Sequence, residues 1–269
     1  MLAQRVLSVV LQTGPAPGDA ATCERLERAY YALTAQTHRH FVQQGDGWML
    51  TGVAGLDAPT MNRAVVEGAE VAEVEHLLHG ADAFFGERDC SWSVVLSSYR
   101  PAREWHSELV MRGCLPSSTL DILARAPGAI DAPDALVRLA RADEVGKFTD
   151  IVMDVFRMPR RFYPALLDMT EAWRAHGAKL YFALEEGEPV ATALLATTDG
   201  VAGIYNVATV RHARRRGLAR ALVARCLADA RGADVVTLQV APEGYVEPFY
   251  LRLGFEPQYR WRFYTPRAA

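Results

Sequence analysis

The sequence predicts a mixed α/β protein built from two domains. Three observations predict it. The chain has 269 residues, against about 100 to 200 per domain. Half of its residues are hydrophobic and 23% are charged, which supplies apolar material for sizeable cores and makes no case for disorder. Short apolar runs of strand character alternate with amphipathic stretches of helical period, the pattern of a sheet flanked by helices.

The elements follow from local signals. Ala126-Pro127-Gly128-Ala129-Ile130-Asp131-Ala132-Pro133-Asp134 collects turn formers and marks a boundary between domains 1–128 and 134–269. After it, Leu136–Ala140 reads as a short strand, and Asp143 as the cap of a helix carrying Val145, Phe148, Ile151, Val152 and Val155. A second helix runs from about Pro164 to Ala175. Three strands are expected over 179–184, 189–197 and 203–210, separated by Glu186-Gly187-Glu188 and Thr198-Asp199-Gly200. Next comes a helix on which Leu218, Leu222 and Cys226 recur at spacing four beside Ala219, Val223 and Leu227, one broad face for packing on a sheet. A strand over 235–240, a helix through Tyr250 ending at Gly254, and a last strand complete the chain. On that last strand Tyr259, Trp261 and Phe263 share a face, as core or as the wall of an apolar pocket.

The junction Arg214-Arg215-Arg216-Gly217-Leu218-Ala219 joins strand to helix with no room for an ordinary loop. The first backbone N–H groups of a helix have no internal partner, and the helix dipole adds positive character, so phosphate is favoured there. Gly217 lets a ligand approach the backbone, and Arg214, Arg215, Arg216 and Arg220 can grip phosphate oxygens in bidentate fashion. A pyrophosphate is the expected guest.

Arg, two residues, Gly, one residue, Ala after a strand resembles the acyl-CoA signature of the GCN5-related N-acetyltransferases (GNAT). Phe249-Tyr250-Leu251-Arg252-Leu253-Gly254-Phe255 is similar to that family's Tyr-x-x-x-Gly-Phe segment. The resemblance covers roughly the last half of the chain. It implies a mixed, mostly antiparallel sheet flanked by helices and splayed between its fourth and fifth strands. It further implies that the main chain of Val207, Ala208 and Thr209 receives the pantetheine arm, that residues 214–220, including Leu218 and Ala219, hold the pyrophosphate, and that acetyl-CoA or another acyl-CoA is the cofactor.

Acyl transfer to an amine needs a neutral amine, a donor for the developing oxyanion and a proton for the departing thiolate. Tyr250 corresponds to the family's tyrosine beside the thioester sulfur and is read as general acid. Many relatives place a Glu on the fourth strand, but this strand offers only Tyr205 and Asn206, so the base is unassigned. Tyr205, Asn206 and Glu247 are candidates for binding the acceptor, and Glu243 lies in the same loop as Glu247.

The first half carries an echo of the second. Leu109 to Pro116 aligns with Tyr250 to Pro257, with Leu109 at the tyrosine position, and no Arg-x-x-Gly-x-Ala precedes it. This implies tandem GNAT-like domains, the first having lost its cofactor motif. The reading is an acyl-CoA-dependent N-acyltransferase acting on a small-molecule amine through a ternary complex. The alternatives are a mycothiol-synthase-like biosynthetic acetyltransferase and a non-enzymatic CoA-binding regulatory protein.

The net charge of -3 argues against nucleic acid and membrane as partners. Cys23, Cys90, Cys114 and Cys226 have no metal or redox spacing, so no metal, reduced thiols and a cytoplasmic location are expected. The apolar run at 6–11 is too short for a convincing signal peptide. A homodimer is left open.

Overall fold

The structure, a computed structural model, describes residues 18–100, 103–133, 135–242 and 244–267. Glu243 and the apolar run at 6–11 lie outside the described residues. The first half runs α1 (Ala20–Thr34), β1 (His40–Gly45), β2 (Trp48–Val53), β3 (Arg63–Val66), α2 (Val74–Gly86), β4 (Ser93–Ser97), α3 (Arg103–Met111) and β5 (Cys114–Arg125). The second half runs β6 (Val137–Leu139), α4 (Val145–Phe156), α5 (Tyr163–Ala175), β7 (Lys179–Glu185), β8 (Glu188–Thr198) and β9 (Val201–Thr209). It ends with α6 (Leu218–Asp229), β10 (Val235–Val240), α7 (Glu247–Arg252) and β11 (Glu256–Pro266). Among the described residues no helix is long and apolar enough to cross a membrane.

The two halves repeat one plan. β1–β2–β3 and β7–β8–β9 are antiparallel meanders. A crossover helix, α2 or α6, then leads to a strand parallel to the last of the meander, β4 beside β3 and β10 beside β9. A short helix and a long antiparallel strand close each half. Gly113 and Gly254 end the matching helices α3 and α7 with φ of 83° and 82°, the left-handed turn that glycine supplies at least cost.

The halves do not form separate sheets. The strand order is β1-β2-β3-β4-β11-β5-β10-β9-β8-β7-β6: β5 lies between β10 and β11, and β11 between β4 and β5. Each half gives its closing strand to the other. The sequence pattern places a boundary between residues 128 and 134, and residues 128–133 have no regular structure, but the sheet runs through both halves.

Burial follows the period of two. On β7, Leu180 and Phe182 face α4 together with Leu194 and Ala196, while Tyr181 and Ala183 face α6 with Leu222, Cys226 and Leu227. Tyr259, Trp261 and Phe263 are fully buried, as is Tyr264 on the opposite face, because β11 is central and covered on both sides. The shared face of Tyr259, Trp261 and Phe263 is therefore core, packed on Leu26 and Ala29 of α1. The helix α1 also reaches into the second half: Leu33 joins the core of Phe148 and Phe182, and its carbonyl accepts from Trp173 Nε1 at 2.8 Å.

Asp143 does not cap α4. A 3-10 turn, Ala142–Glu144, leads into the helix, and Glu144 is the organising acid. It accepts the Arg141 N–H at 2.8 Å and both Arg138 guanidinium nitrogens at 2.6 and 2.7 Å. The Arg138 pair is the main cause that holds its carboxyl down at about 2.

Candidate functional site

β9 and β10 pair only from Val201–Val235 to Gly203–Thr237. Beyond that point Ile204 to Thr209 and Leu238 to Val240 run on without pairing to each other, and the sheet opens. At the opening β9 is bulged. Its register against β8 shifts between Leu194–Tyr205 and Thr192–Ala208, and Asn206 takes a left-handed φ of 51°. Thr192 holds the bulge by donating its hydroxyl to the Asn206 carbonyl at 2.9 Å. Bulges of this kind re-aim backbone groups beside functional clefts.

Val207, Ala208 and Thr209 form the wall of the opening on the β9 side. Tyr205 stands at its apex, where its ring folds back over Gly203. A Cβ on Gly203 would lie 2.3 Å from that ring, so Gly203 is required for packing although its φ is ordinary. The Tyr205 hydroxyl bonds to the Gln239 side chain across the opening, and burial raises its phenol. Tyr30 of α1 approaches the same ring with centroids 6.4 Å apart, which brings the first half to the site.

The anion loop lies at the C-terminal ends of these strands. Among the described residues the backbone N–H groups of Arg215, Arg216, Gly217, Leu218, Ala219 and Arg220 have no hydrogen-bond partner, the first helical bond being Ala221 N–H to the Gly217 carbonyl at 3.0 Å. Six consecutive donors at a helix start make a concave site for phosphate oxygens. Gly217 has a φ of 81°, and a Cβ there would lie 2.6 Å from Pro133 Cγ. Its need for glycine thus comes from conformation and from the segment joining the halves, in addition to ligand access.

The arginines divide. Arg214 Nε donates to the Thr209 carbonyl at 3.0 Å, Arg220 Nε to the Asp131 carbonyl at 2.7 Å, and Arg216 pairs with Glu185. Only Arg215 has no side-chain partner among the described residues, and its φ of 62° marks the turn. Three of the four guanidinium groups expected to face phosphate also brace the loop.

Tyr250 is on α7, buried against Leu222, Cys226 and Phe255. Burial, with Cys226 second, pushes its phenol well above the usual tyrosine value, so it holds its proton at neutral pH. Glu247 opens the same helix and is half-buried. The residues that pattern reading missed are Thr192, Gly203, Gln239 and Pro133; none carries a local signal, because each acts on a residue far away in the chain.

The matching loop of the first half, from β3 to α2, is closed. The N–H groups of Glu67, Gly68 and Ala69 all donate to the Gly47 carbonyl, at 2.8, 2.9 and 2.9 Å. This connection and the first turn of α2 carry Glu67, Glu70, Glu73 and Glu75 where the second half carries arginines. Leu109, fully buried in the first-half core, stands on α3 as Tyr250 stands on α7.

Residues 146–255 match the profile of the Acetyltransferase (GNAT) family. No curated protein is similar enough in sequence to match. Among solved structures, a GCN5-related N-acetyltransferase from Kribbella flavida superposes with a TM-score of 0.70 at 23% identity, covering 94% of this chain and 98% of that one. Another from Sphaerobacter thermophilus gives 0.63 at 19%, covering 82% and 81%. A tandem GNAT protein from the clavulanic acid biosynthesis pathway gives 0.58 at 14%, covering 85% and 83%. Likeness at these identities speaks for the fold. Together with the opened sheet and its anion loop, the profile match makes residues 146–255 an acetyltransferase domain of the GNAT family.

Proposed function

We propose that this protein is an acyl-CoA-dependent N-acyltransferase acting on a small-molecule amine, with 134–269 as the catalytic part and a first half that no longer holds a cofactor. The observation that carries the reading is the run of six unpartnered N–H groups from Arg215 to Arg220, set at the open end of the β9–β10 splay. These residues fit a pyrophosphate, and Val207 to Thr209 offer an extended main chain for the arm leading to it. An acyl-CoA, when bound, supplies the activated thioester.

The remaining chemistry rests on this chain. Tyr250 keeps the proton on its hydroxyl at neutral pH, the state a general acid needs, and such groups contribute about 10²- to 10⁴-fold. The bulge leaves Asn206 and Val207 out of the β8 register beside the opening, where their free backbone groups can orient an amine. β9 carries no carboxylate, so an amine that is already partly neutral, or deprotonation through water, suits this site better than a strand-borne base.

Calorimetric titration with acetyl-CoA and with free CoA tests the cofactor, with Gly217→Glu as control; amine screening by release of free thiol then tests transfer. Tyr250→Phe is expected to lower kcat by about 10² or more while leaving CoA affinity unchanged. Unchanged turnover would remove Tyr250 from the chemistry, and absence of CoA binding to the unmodified protein would favour a non-enzymatic role.

A further inference from the structure

Arg63 of β3 is 3% exposed and, among the described residues, makes no salt bridge. Its sheet neighbours Thr51 and Ser93 are hydroxyl residues. The acid that influences it, Glu27, is already bonded by Ser97, Tyr99, Arg100 and Trp261. The guanidinium is instead enclosed by aromatic rings, its carbon lying 4.7 Å from the ring centre of Tyr30, 5.9 Å from Tyr31, 4.6 Å from Trp261 and 5.2 Å from Phe263. Such faces attract a cation, yet an apolar side chain of similar volume would fill the space without desolvating a charge. What the charge adds is a fixed geometry for its hydrogen-bond partners.

Those partners are the Thr60 carbonyl, which accepts from Nε at 2.7 Å, and the Tyr30 hydroxyl, which accepts from Nη2 at 3.0 Å. The Thr60 bond ties the guanidinium to the turn before its own strand. The Tyr30 bond leads to the other half. The Tyr30 ring meets Trp261 edge to face, with centroids 5.0 Å apart, and Tyr205 with centroids 6.4 Å apart. Tyr205 is otherwise seated by Gly203 and Gln239, both of the second half, so Tyr30 is the first half's contribution to its seat. On β9, Tyr205 is the last residue in register with β8 before the bulge. A displacement of its ring therefore carries Asn206 with it.

We propose that Arg63 and Tyr30 are positioning residues for the acyl transfer. Arg63 fixes the Tyr30 hydroxyl, the Tyr30 ring seats Tyr205, and Tyr205 sets the bulge whose backbone receives the acceptor amine. The inference rests on the acyltransferase reading and gives the first half a part in it that needs no cofactor. It concerns the acceptor side alone, because the anion loop is braced separately by the Thr209 and Asp131 carbonyls and by Glu185.

Two variants of the full-length protein test it, alone and combined. Tyr30→Phe removes the hydroxyl that Arg63 holds and keeps the ring, and Arg63→Met removes the guanidinium and keeps much of its volume. Hydrogen exchange of the amides in 204–209 needs no acceptor and is expected to quicken several-fold in both. Each single variant should raise KM for the amine found by free-thiol release about five- to tenfold, with kcat changed less than about twofold and acetyl-CoA affinity unchanged by calorimetry. Since Arg63 acts through Tyr30, the double variant should be no worse than the worse single one. A merely structural role would lower the melting temperature without this split between KM and kcat. Tyr30→Phe leaves every ring in place and keeps the test decisive where Arg63→Met fails to fold. Unchanged exchange at 204–209 in Tyr30→Phe, unchanged KM, or losses that multiply in the double variant would each overturn the inference and leave the acyltransferase reading standing. An unmodified protein that transfers to no amine would overturn that reading, and with it any part of Arg63 and Tyr30 in transfer.

Discussion

The β3–α2 and β9–α6 connections occupy equivalent positions in the two halves and differ in what their backbone donors face. In the first, three N–H groups converge on the Gly47 carbonyl. In the second, six N–H groups have no protein partner among the described residues. A carbonyl oxygen in a ring of donors satisfies the same geometry that a phosphate oxygen would, so the first half fills its own anion site with backbone. Gly47 makes this possible: with a φ of 72° and a hypothetical Cβ only 2.3 Å from Ala69 N, it tolerates no side chain. The first connection is thus closed to anions by more than its lack of arginines: its donors are committed to a backbone carbonyl.

The largest expected effect comes from separating the halves. Residues 134–269 without β5 leave β10 and β11 with no strand between them, because β5 pairs with both. That fragment should be insoluble or unfolded when expressed alone and should recover when residues 1–128 are supplied on a second chain. A soluble fragment with cooperative thermal unfolding would mean that β10 and β11 can close on each other and that the strand exchange is dispensable.

Next is the Gly217 turn, where two causes act together. Gly217→Ala forces a Cβ against Pro133 and into a φ that costs about 1 kcal/mol or more for an L-residue. Pairing it with Pro133→Gly relieves the contact and leaves the backbone cost. CoA affinity, read by calorimetry, should fall in Gly217→Ala and return in part in the double variant. No recovery would locate the whole requirement in φ or in the ligand and sever the link between cofactor loop and interdomain segment.

The arginines give a smaller and graded effect. Arg215 is uncommitted among the described residues, whereas Arg216 is paired with Glu185. A hydrogen bond to a charged group is worth about 1.5–3 kcal/mol, so Arg215→Ala should weaken CoA binding tenfold or more, and Arg216→Ala less. Both are exposed, so raising salt should shrink the difference. Equal losses would show that the Arg216–Glu185 pair opens to receive the ligand.

What was legible in the sequence is what local period and chemistry encode. Leu180 and Phe182 against Tyr181 and Ala183 follow the strand alternation, and Leu218, Leu222 and Cys226 follow the helical one. The Arg-rich junction reads as an anion loop because a helix start is electrostatically defined by its own residues. The strand exchange is not legible: alternation on β5 and β11 says which side chains face the core, while the choice of neighbouring strand depends on the whole assembly. For the same reason Asp131, Glu185 and Thr209 could not be assigned as partners of Arg220, Arg216 and Arg214. In the first half, the sequence carries the acidic residues around the β3–α2 connection but not the Gly47 carbonyl that fills it.

The smallest effect concerns Glu67 in that closed connection. Desolvation raises its folded carboxyl above the ordinary 4.5, so the folded state binds a proton more readily than the unfolded chain. The stability this gives is fully present below the unfolded value and is lost as pH rises through the folded one. At neutral pH the charged carboxylate therefore opposes folding. Replacing it with Gln removes the cost, so Glu67→Gln should melt slightly higher than the unmodified protein at pH 7, and the difference should vanish by about pH 4. A carboxylate placed among the free donors of residues 215–220 would have the opposite sign, since those N–H groups favour the ionised form. Thermal melts across this range decide the matter: a lower melting temperature for Glu67→Gln at pH 7 would mean that Glu67 is a paired anion and that the two connections are electrostatically more alike than their backbones suggest.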